Sequence, residues 1–188
     1  IHSSVVRIIS GKYRGKRINP PAGFKARPTT DYARESLFNI LNNRIDFEAV
    51  EVLDLFSGTG SVSFEFASRG AQTVHLVEKD ARSISFIRRM ADEMNLSNVK
   101  PLHIDVKAYL KACHYKYDIV FADPPYELPW LSELPDMVMN ATILKSDGIF
   151  ILEHPKSYHF AGRKYFFEHR DYGSVNFSFF RPAMGMVD

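Results

Sequence analysis

This 188-residue sequence is poorest in cysteine, in long apolar runs and, over its first thirty residues, in acidic side chains. Its one cysteine, Cys113, cannot form an internal disulfide, and with only scattered histidines beside it no spacing suits a structural zinc site. Redox and metal chemistry are therefore not expected, and no metal ligands are assigned. No stretch approaches the ~18 consecutive apolar residues of a membrane helix, and the N-terminus lacks the apolar core of a secretory signal. With 45% hydrophobic and 24% charged residues, a compact cytoplasmic domain without membrane partners is expected, and its small size suggests a monomer.

The missing acids matter most. Residues 1–30 contain no Asp or Glu but carry Arg7, Lys12, Arg14, Lys16, Arg17, Lys25 and Arg27, a local charge of +7. The remainder holds 17 basic and 22 acidic residues, a net −5, so the positive charge is gathered on one terminal segment. That is the electrostatic footprint of a polyanion binder, with a solvated basic arm as the alternative.

In VVRIISGKYRGKRINPP, β-formers are interrupted by Gly11, Gly15 and Pro20-Pro21, which predicts one or two short strands with a turn and a proline-marked loop. Residues 1–29 read as a basic hairpin extension and 30–188 as the main domain. DYARESLFNILNNR places Ala33, Leu37, Ile40 and Leu41 at helical spacing behind Thr30 or Asp31 as N-cap. From Val50 on, strands are predicted at 50–56, 73–78, 99–104, 117–122 and 148–153, with helical stretches between them. This alternation implies a mostly parallel α/β sheet covered on both faces. KYFFEHRDYGSVNFSFFRP then predicts two strands about a turn at Tyr172-Gly173, completing the far edge of the sheet in partly antiparallel fashion.

Asp54-Leu-Phe-Ser-Gly58-Thr-Gly60-Ser61 follows the first of these strands and precedes a helix, the corner at which open α/β sheets bind ligands. Glu78 ends the next strand and can accept hydrogen bonds from two ribose hydroxyls, which makes this a nucleoside-containing cofactor site. A dinucleotide site would favour glycine where Ser63 stands, and Asp54 suits an ammonium better than a pyrophosphate. S-adenosylmethionine is therefore favoured over NAD. Asp105 can accept from the adenine amino group, cap the helix that follows it, or do both. Lys79, next to Glu78, either flanks the adenosine or is a plain surface residue.

The strand at 117–122 runs into Asp123-Pro124-Pro125-Tyr126, which carries the reaction. Two prolines fix the backbone and remove two N–H donors, so carbonyl oxygens point into the site. An amine on an aromatic ring is a poor nucleophile because its lone pair is delocalised. If the Asp123 carboxylate and the Pro124 carbonyl accept its hydrogens, the nitrogen moves toward sp³ geometry and its lone pair can meet a methyl sulfonium in line, with Tyr126 stacked on the base. The alternative is a proline turn ending a buried strand. His103, His154 and His159 are not needed as bases, because the methylated amine is acidic enough to lose its proton to water.

The segments RIISGKYRGKRI, RPTTDYARESLFNIL, DLFSGTGS, LVEKD and DIVFADPPY, in this order and spacing, resemble the bacterial small-subunit rRNA guanine-N2 methyltransferase family (RsmD type) over nearly the whole chain. The resemblance implies a Rossmann-like class I methyltransferase fold: a mostly parallel seven-stranded sheet with an antiparallel last strand, helices on both faces and a small N-terminal hairpin. It implies that Thr29, Asp54, Phe56, Gly58, Gly60, Glu78, Lys79, Asp105, Val106 and Asp123 hold S-adenosylmethionine. It further implies that Asp123, Pro124, Pro125 and Tyr126 hold the guanine amine, and that Arg7, Lys12, Arg14, Lys16, Arg17 and Arg27 meet rRNA phosphates. The implied substrate is guanine 966 of 16S rRNA in a small subunit with ribosomal proteins already assembled. Many members carry Ala-Leu-Gly after the glycine pair where this chain has Ser61-Val62-Ser63. An adenine-N6 methyltransferase of DNA or RNA, and a catalytically silent RNA-binding module, are the alternatives.

Overall fold

A computed structural model describes residues 5–24 and 30–183. The basic extension forms a two-stranded antiparallel hairpin, β1 (Val6–Arg7) with β2 (Arg17–Ile18). After α1 (Asp31–Asn42) come β3 (Glu51–Leu55), α2 (Ser61–Ser68), β4 (Thr73–Glu78), α3 (Ala81–Glu93), β5 (Val99–His103), α4 (Val106–Ala112) and β6 (Tyr117–Ala122). A short 3-10 turn leads into α5 (Leu134–Asn140), and β7 (Leu144–His154), β8 (Phe166–Tyr172) and β9 (Val175–Phe180) complete the chain.

The strand order is β5-β4-β3-β6-β7-β9-β8, with all pairs parallel except those made by β9. This is the seven-stranded sheet with an antiparallel last strand that the sequence implied. Strand succession runs outward from β3 to β5 and then restarts with β6 on the other side of β3, so a crevice opens between the carboxyl ends of β3 and β6. One core packs α1, α2, α3 and the hairpin on one face, and a second packs α4 and α5 on the other.

Local sequence explains the helix starts. The Thr30 hydroxyl accepts the Ala33 N–H at 3.1 Å, Asp80 accepts that of Ser83 at 2.9 Å, and Asp105 that of Ala108 at 3.2 Å. The boundary that differs most from expectation is the start of β7. β7 begins at Leu144 rather than 148, and its pairing with β6 skips from Leu144 to Ile149. The polar Lys145-Ser-Asp-Gly run bulges there, and a Cβ on Gly148 would lie 2.9 Å from the Tyr117 carbonyl oxygen.

The hairpin is a docked element, not a loose arm. Fully buried Glu65 on α2 accepts the backbone N–H groups of Ile9 (2.8 Å) and Ser10 (3.1 Å) and pairs with Arg69 at 2.9 Å. The Ser68 hydroxyl donates to the Ser10 carbonyl at 2.7 Å, and the Ser68 carbonyl accepts the Lys12 N–H at 2.8 Å. Gly11 makes this approach possible: at φ 86°, a Cβ there would sit 2.0 Å from the Ser68 carbonyl oxygen.

Candidate active site

The carboxyl ends of β3, β4, β5 and β6 surround one cavity of about 600 Å³. Phe56 and Gly58 come from the corner after β3, Glu78, Lys79 and Asp80 from the end of β4, Asp105 and Val106 from the end of β5, and Asp123 to Tyr126 from the end of β6. The fold thus unites the two motifs that the sequence separates by more than sixty positions.

The glycine corner is held in shape by backbone conformation and by Glu78. Gly58 and Gly60 have φ of 55° and 78°, and Phe56, with a full side chain, also adopts a left-handed φ of 57°. Such a non-glycine conformation costs of order 1–3 kcal/mol and persists only where the surroundings enforce it. Glu78 accepts the Gly58 N–H at 2.9 Å through one oxygen and the Asp80 N–H at 3.0 Å through the other. A carboxylate has about four acceptor positions, so Glu78 retains capacity for two hydroxyls while fastening the loop.

Asp54 lies behind this corner instead of on the cavity wall. It is 2% exposed, and its carboxylate accepts the Ser63 hydroxyl at 2.6 Å. Burial, reinforced by the nearby Asp123 and Glu78 carboxylates, pushes its carboxyl up to about 7. Asp105 performs the capping role and also lines the cavity. On the β6 side, Pro124 is buried while Asp123 and Tyr126 are half-buried. The Pro125 carbonyl accepts the Leu128 N–H at 3.0 Å, which leaves the Pro124 carbonyl as the backbone acceptor for an amine.

Several wall residues, Trp130 and Lys107 among them, escaped sequence reasoning. Trp130, the chain's one tryptophan, packs 5.8 Å from the Phe56 ring centroid, and the Lys107 ammonium lies 4.6 Å from the Trp130 ring. Trp130 stands in a segment whose helical pattern suggests core packing; its closeness to Tyr126 was the available signal.

The wall chemistry fits a cationic nucleoside. Glu78, Asp80, Asp105, Asp123 and Glu127 face Lys79 and Lys107, an acidic excess that attracts a sulfonium or ammonium and repels a pyrophosphate.

The basic residues lie elsewhere. Arg7, Lys12, Arg14, Lys16 and Arg17 are exposed and make no salt bridge among the described residues. None lines the cavity, because the hairpin docks at the end of α2 far from the glycine corner, roughly 12 Å along the helix. Arg27 and Thr29 lie outside the described residues, and Thr30 caps α1. His154 is buried against the Ser178 hydroxyl at 2.7 Å and His103 bonds the Lys79 carbonyl, so neither reaches the amine position.

The family model "Conserved hypothetical protein 95" matches residues 6–181. The chain belongs to this family. Ribosomal RNA small subunit methyltransferase D of Escherichia coli K12 is 32% identical over 80% of this chain and 75% of its own length. The protein of the same name from Buchnera aphidicola of Baizongia pistaciae is 32% identical over 79% of this chain and 75% of its own. The solved structure of the putative methyltransferase yhhF from Escherichia coli superposes with a TM-score of 0.81 at 25% identity, covering 95% of this chain and 98% of that one. Family, fold and cavity agree on a methyltransferase. No helix among the described residues is long and apolar enough to cross a membrane.

Proposed function

We propose that the protein methylates the exocyclic N2 amine of guanine 966 of 16S rRNA, working as a monomer on a small subunit that already carries ribosomal proteins. It is an rRNA methyltransferase of its family, and its cofactor is S-adenosylmethionine. The observation that carries this reading is the placement of Asp123-Pro124-Pro125-Tyr126 across one acidic cavity from Phe56 and Gly58.

Bound S-adenosylmethionine supplies an electrophilic methyl on a positively charged sulfur. The Glu78 carboxylate receives the ribose hydroxyls, Asp105 with Val106 and Lys79 frames the adenine, and Phe56 closes the corner. The Asp123 carboxylate and the Pro124 carbonyl accept the two amine hydrogens, restoring a directed lone pair, while Tyr126 holds the base plane. Methyl transfer from sulfur to nitrogen would leave the amine with a surplus proton acidic enough to pass to water, so no side-chain base is needed beside Asp123. Catalysis is therefore positioning and electrostatics.

The hairpin supplies affinity, not chemistry. The hairpin docks roughly 12 Å along α2 from the corner, so its cations are set to meet backbone flanking the target and not the target base. Replacing Arg14, Lys16 and Arg17 together by alanine is expected to weaken subunit binding and reduce the slope of log affinity against log salt by about two to three. An unchanged slope would leave these cations as solvated surface charge on a docked hairpin.

The decisive experiment offers labelled S-adenosylmethionine with purified small subunits, deproteinised 16S rRNA and duplex DNA in parallel, followed by nucleoside analysis. N2-methylguanosine from the subunits is the expected product. Label in N6-methyladenine would overturn the substrate, and absence of cofactor binding would leave a silent RNA-binding module.

A further inference from the structure

A second stretch of the chain shares the basic extension's want of acids. Residues 154–167, HPKSYHFAGRKYFF, hold Lys156, Arg163 and Lys164 among five Tyr or Phe side chains and no Asp or Glu. They run from the last residue of β7 through the loop that enters β8. Against β8 and β9 this loop forms a shallow dish of about 100 Å³, walled by Tyr158, His159 and Phe160 from the loop, His169 from β8 and Ser178 from β9. Packing fixes its floor. A carbonyl can only accept, so His154 donates from Nδ1 to Pro155 at 2.8 Å and accepts the Ser178 hydroxyl at Nε2, 2.7 Å away. Buried Phe160 stands edge-on to His154 and to Phe180, with centroids 5.0 and 5.6 Å apart, and the half-buried Tyr158 ring lies within 13° of parallel to it. Arg163 ties the loop to the turn before α5, donating to the Ser132 carbonyl at 2.8 Å and pairing with Asp136 at 3.3 Å. Lys156, His159, Lys164 and His169 are exposed around this floor.

The dish stands beside the reaction centre. β6 and β7 run parallel with Ala122 opposite Leu152, so the chain leaves both strands at the same edge of the sheet, and Leu152 lies in turn opposite Ser178 on β9. Two strand spacings put Ser178 about 10 Å from β6. The loop's aromatics join the core on the α4 and α5 face, whereas the hairpin joins the core on the other. The dish is too small for a cofactor, whose pockets start at about 300 Å³, but it admits the edge of one planar ring. Aromatic faces set among lysines are the recurring platform for unpaired RNA bases, because every base has a π-face and every nucleotide a phosphate. An apolar partner would leave the lysines unused, and an acidic one the rings. We propose that the dish binds a nucleobase near the target on the same RNA strand: the base stacks on Tyr158 and His159, and Lys156 and Lys164 meet the flanking phosphates. The inference rests on the reading of the protein as an rRNA methyltransferase. The strand is then held on both sides of an extruded guanine, by the hairpin across one face of the sheet and by the dish across the other.

Equilibrium binding of the full chain to purified small subunits across a salt series, beside the single-turnover transfer rate at saturating subunits, tests this. Tyr158→Ala combined with His159→Ala is expected to weaken binding about tenfold or more while the slope of log affinity against log salt stays unchanged, because stacking releases no counterions. Lys156→Gln combined with Lys164→Gln should instead lower that slope by about 1.5. In both variants the saturated transfer rate and the calorimetric affinity for S-adenosylmethionine should match wild type, which also shows that both are folded. Tyr158→Phe should bind as wild type; Tyr158→Leu, which fills similar space without a π-face, should not. Wild-type binding by Tyr158→Leu would reduce the ring to packing and overturn the inference. A slower saturated rate at normal affinity would do the same, because the loop would then act on the active site through Arg163. Ultraviolet crosslinking should join Tyr158 or His159 to RNA, and weakened binding in the variants without any nucleotide adduct on the wild-type loop would assign the dish to a ribosomal protein instead. If the wild-type protein transfers no methyl to subunits, the substrate reading and this inference fall together; if it does and the dish variants bind normally, this inference falls alone.

Discussion

Asp123→Ala should lower the rate of methyl transfer by about 10²- to 10³-fold, the loss typical when one preorganised electrostatic partner of a transition state is removed. The side chain is half-buried at the end of β6, on the opposite side of the cavity from the Glu78 and Asp105 that receive the nucleoside. Its removal leaves the Pro124 carbonyl as a single acceptor, which cannot by itself turn a conjugated amine toward the methyl. Cofactor affinity should not suffer. Glu78 and Asp105, which receive the nucleoside, stand at the ends of β4 and β5 and are untouched by the substitution. Single-turnover transfer to small subunits, measured beside calorimetric binding, separates the two effects. Wild-type turnover in this variant would remove the positioning mechanism.

Glu65→Ala is expected to be the most damaging substitution for stability. The carboxylate is fully buried and joins Arg69, Ile9 and Ser10, with Arg34 at 3.9 Å. Truncation leaves buried guanidinium charge and two backbone donors uncompensated, a loss of about 3–5 kcal/mol. For a domain of this length that corresponds to about 10 °C in Tm. The hairpin should detach first, so protease cleavage between β1 and β2 should accelerate before the sheet unfolds. Glu65→Gln keeps an acceptor and should fall between the two. A melting temperature within ~2 °C of wild type, with no change in cleavage, would show that the hairpin is held by its apolar contacts instead.

Glu65 also marks where sequence reasoning stops. Glutamate within a helix of ordinary pattern reads as a surface residue, and nothing local announces that the β-forming chain at Ile9 and Ser10 will settle on it. The strands at 73–78 and 117–122 were legible because β-branched runs bounded by turns leave little choice, and α1 because Thr30 is a standard cap. The start of β7 was not, since Lys145-Ser-Asp-Gly is polar and joins the sheet only as a bulge. Among the site residues, Gly58, Glu78, Asp105 and Asp123 declared themselves by standing at strand ends. Asp54 did so only in part: its place in the chain was readable, while its burial behind the corner and its bond to Ser63 depend on how α2 packs. Trp130 was hidden because the chain folds back over Phe56 after a turn that helical periodicity does not reveal.

The placement of β9 has a bearing on how the molecule comes into being. All four strands that shape the cavity are complete by residue 122, but β8 pairs with β9 alone, and β9 must enter between β7 and β8 after both have been synthesised. Domains generally fold as they emerge, N-terminal portions first, whereas pairings distant in sequence close late. Until Val175–Phe180 arrives, β7 presents an open edge and β8 has no neighbour, the arrangement most prone to pairing with other chains. The nascent enzyme therefore has its chemistry laid out before its flank is sealed, and the interval between the two is when it most needs protection from aggregation.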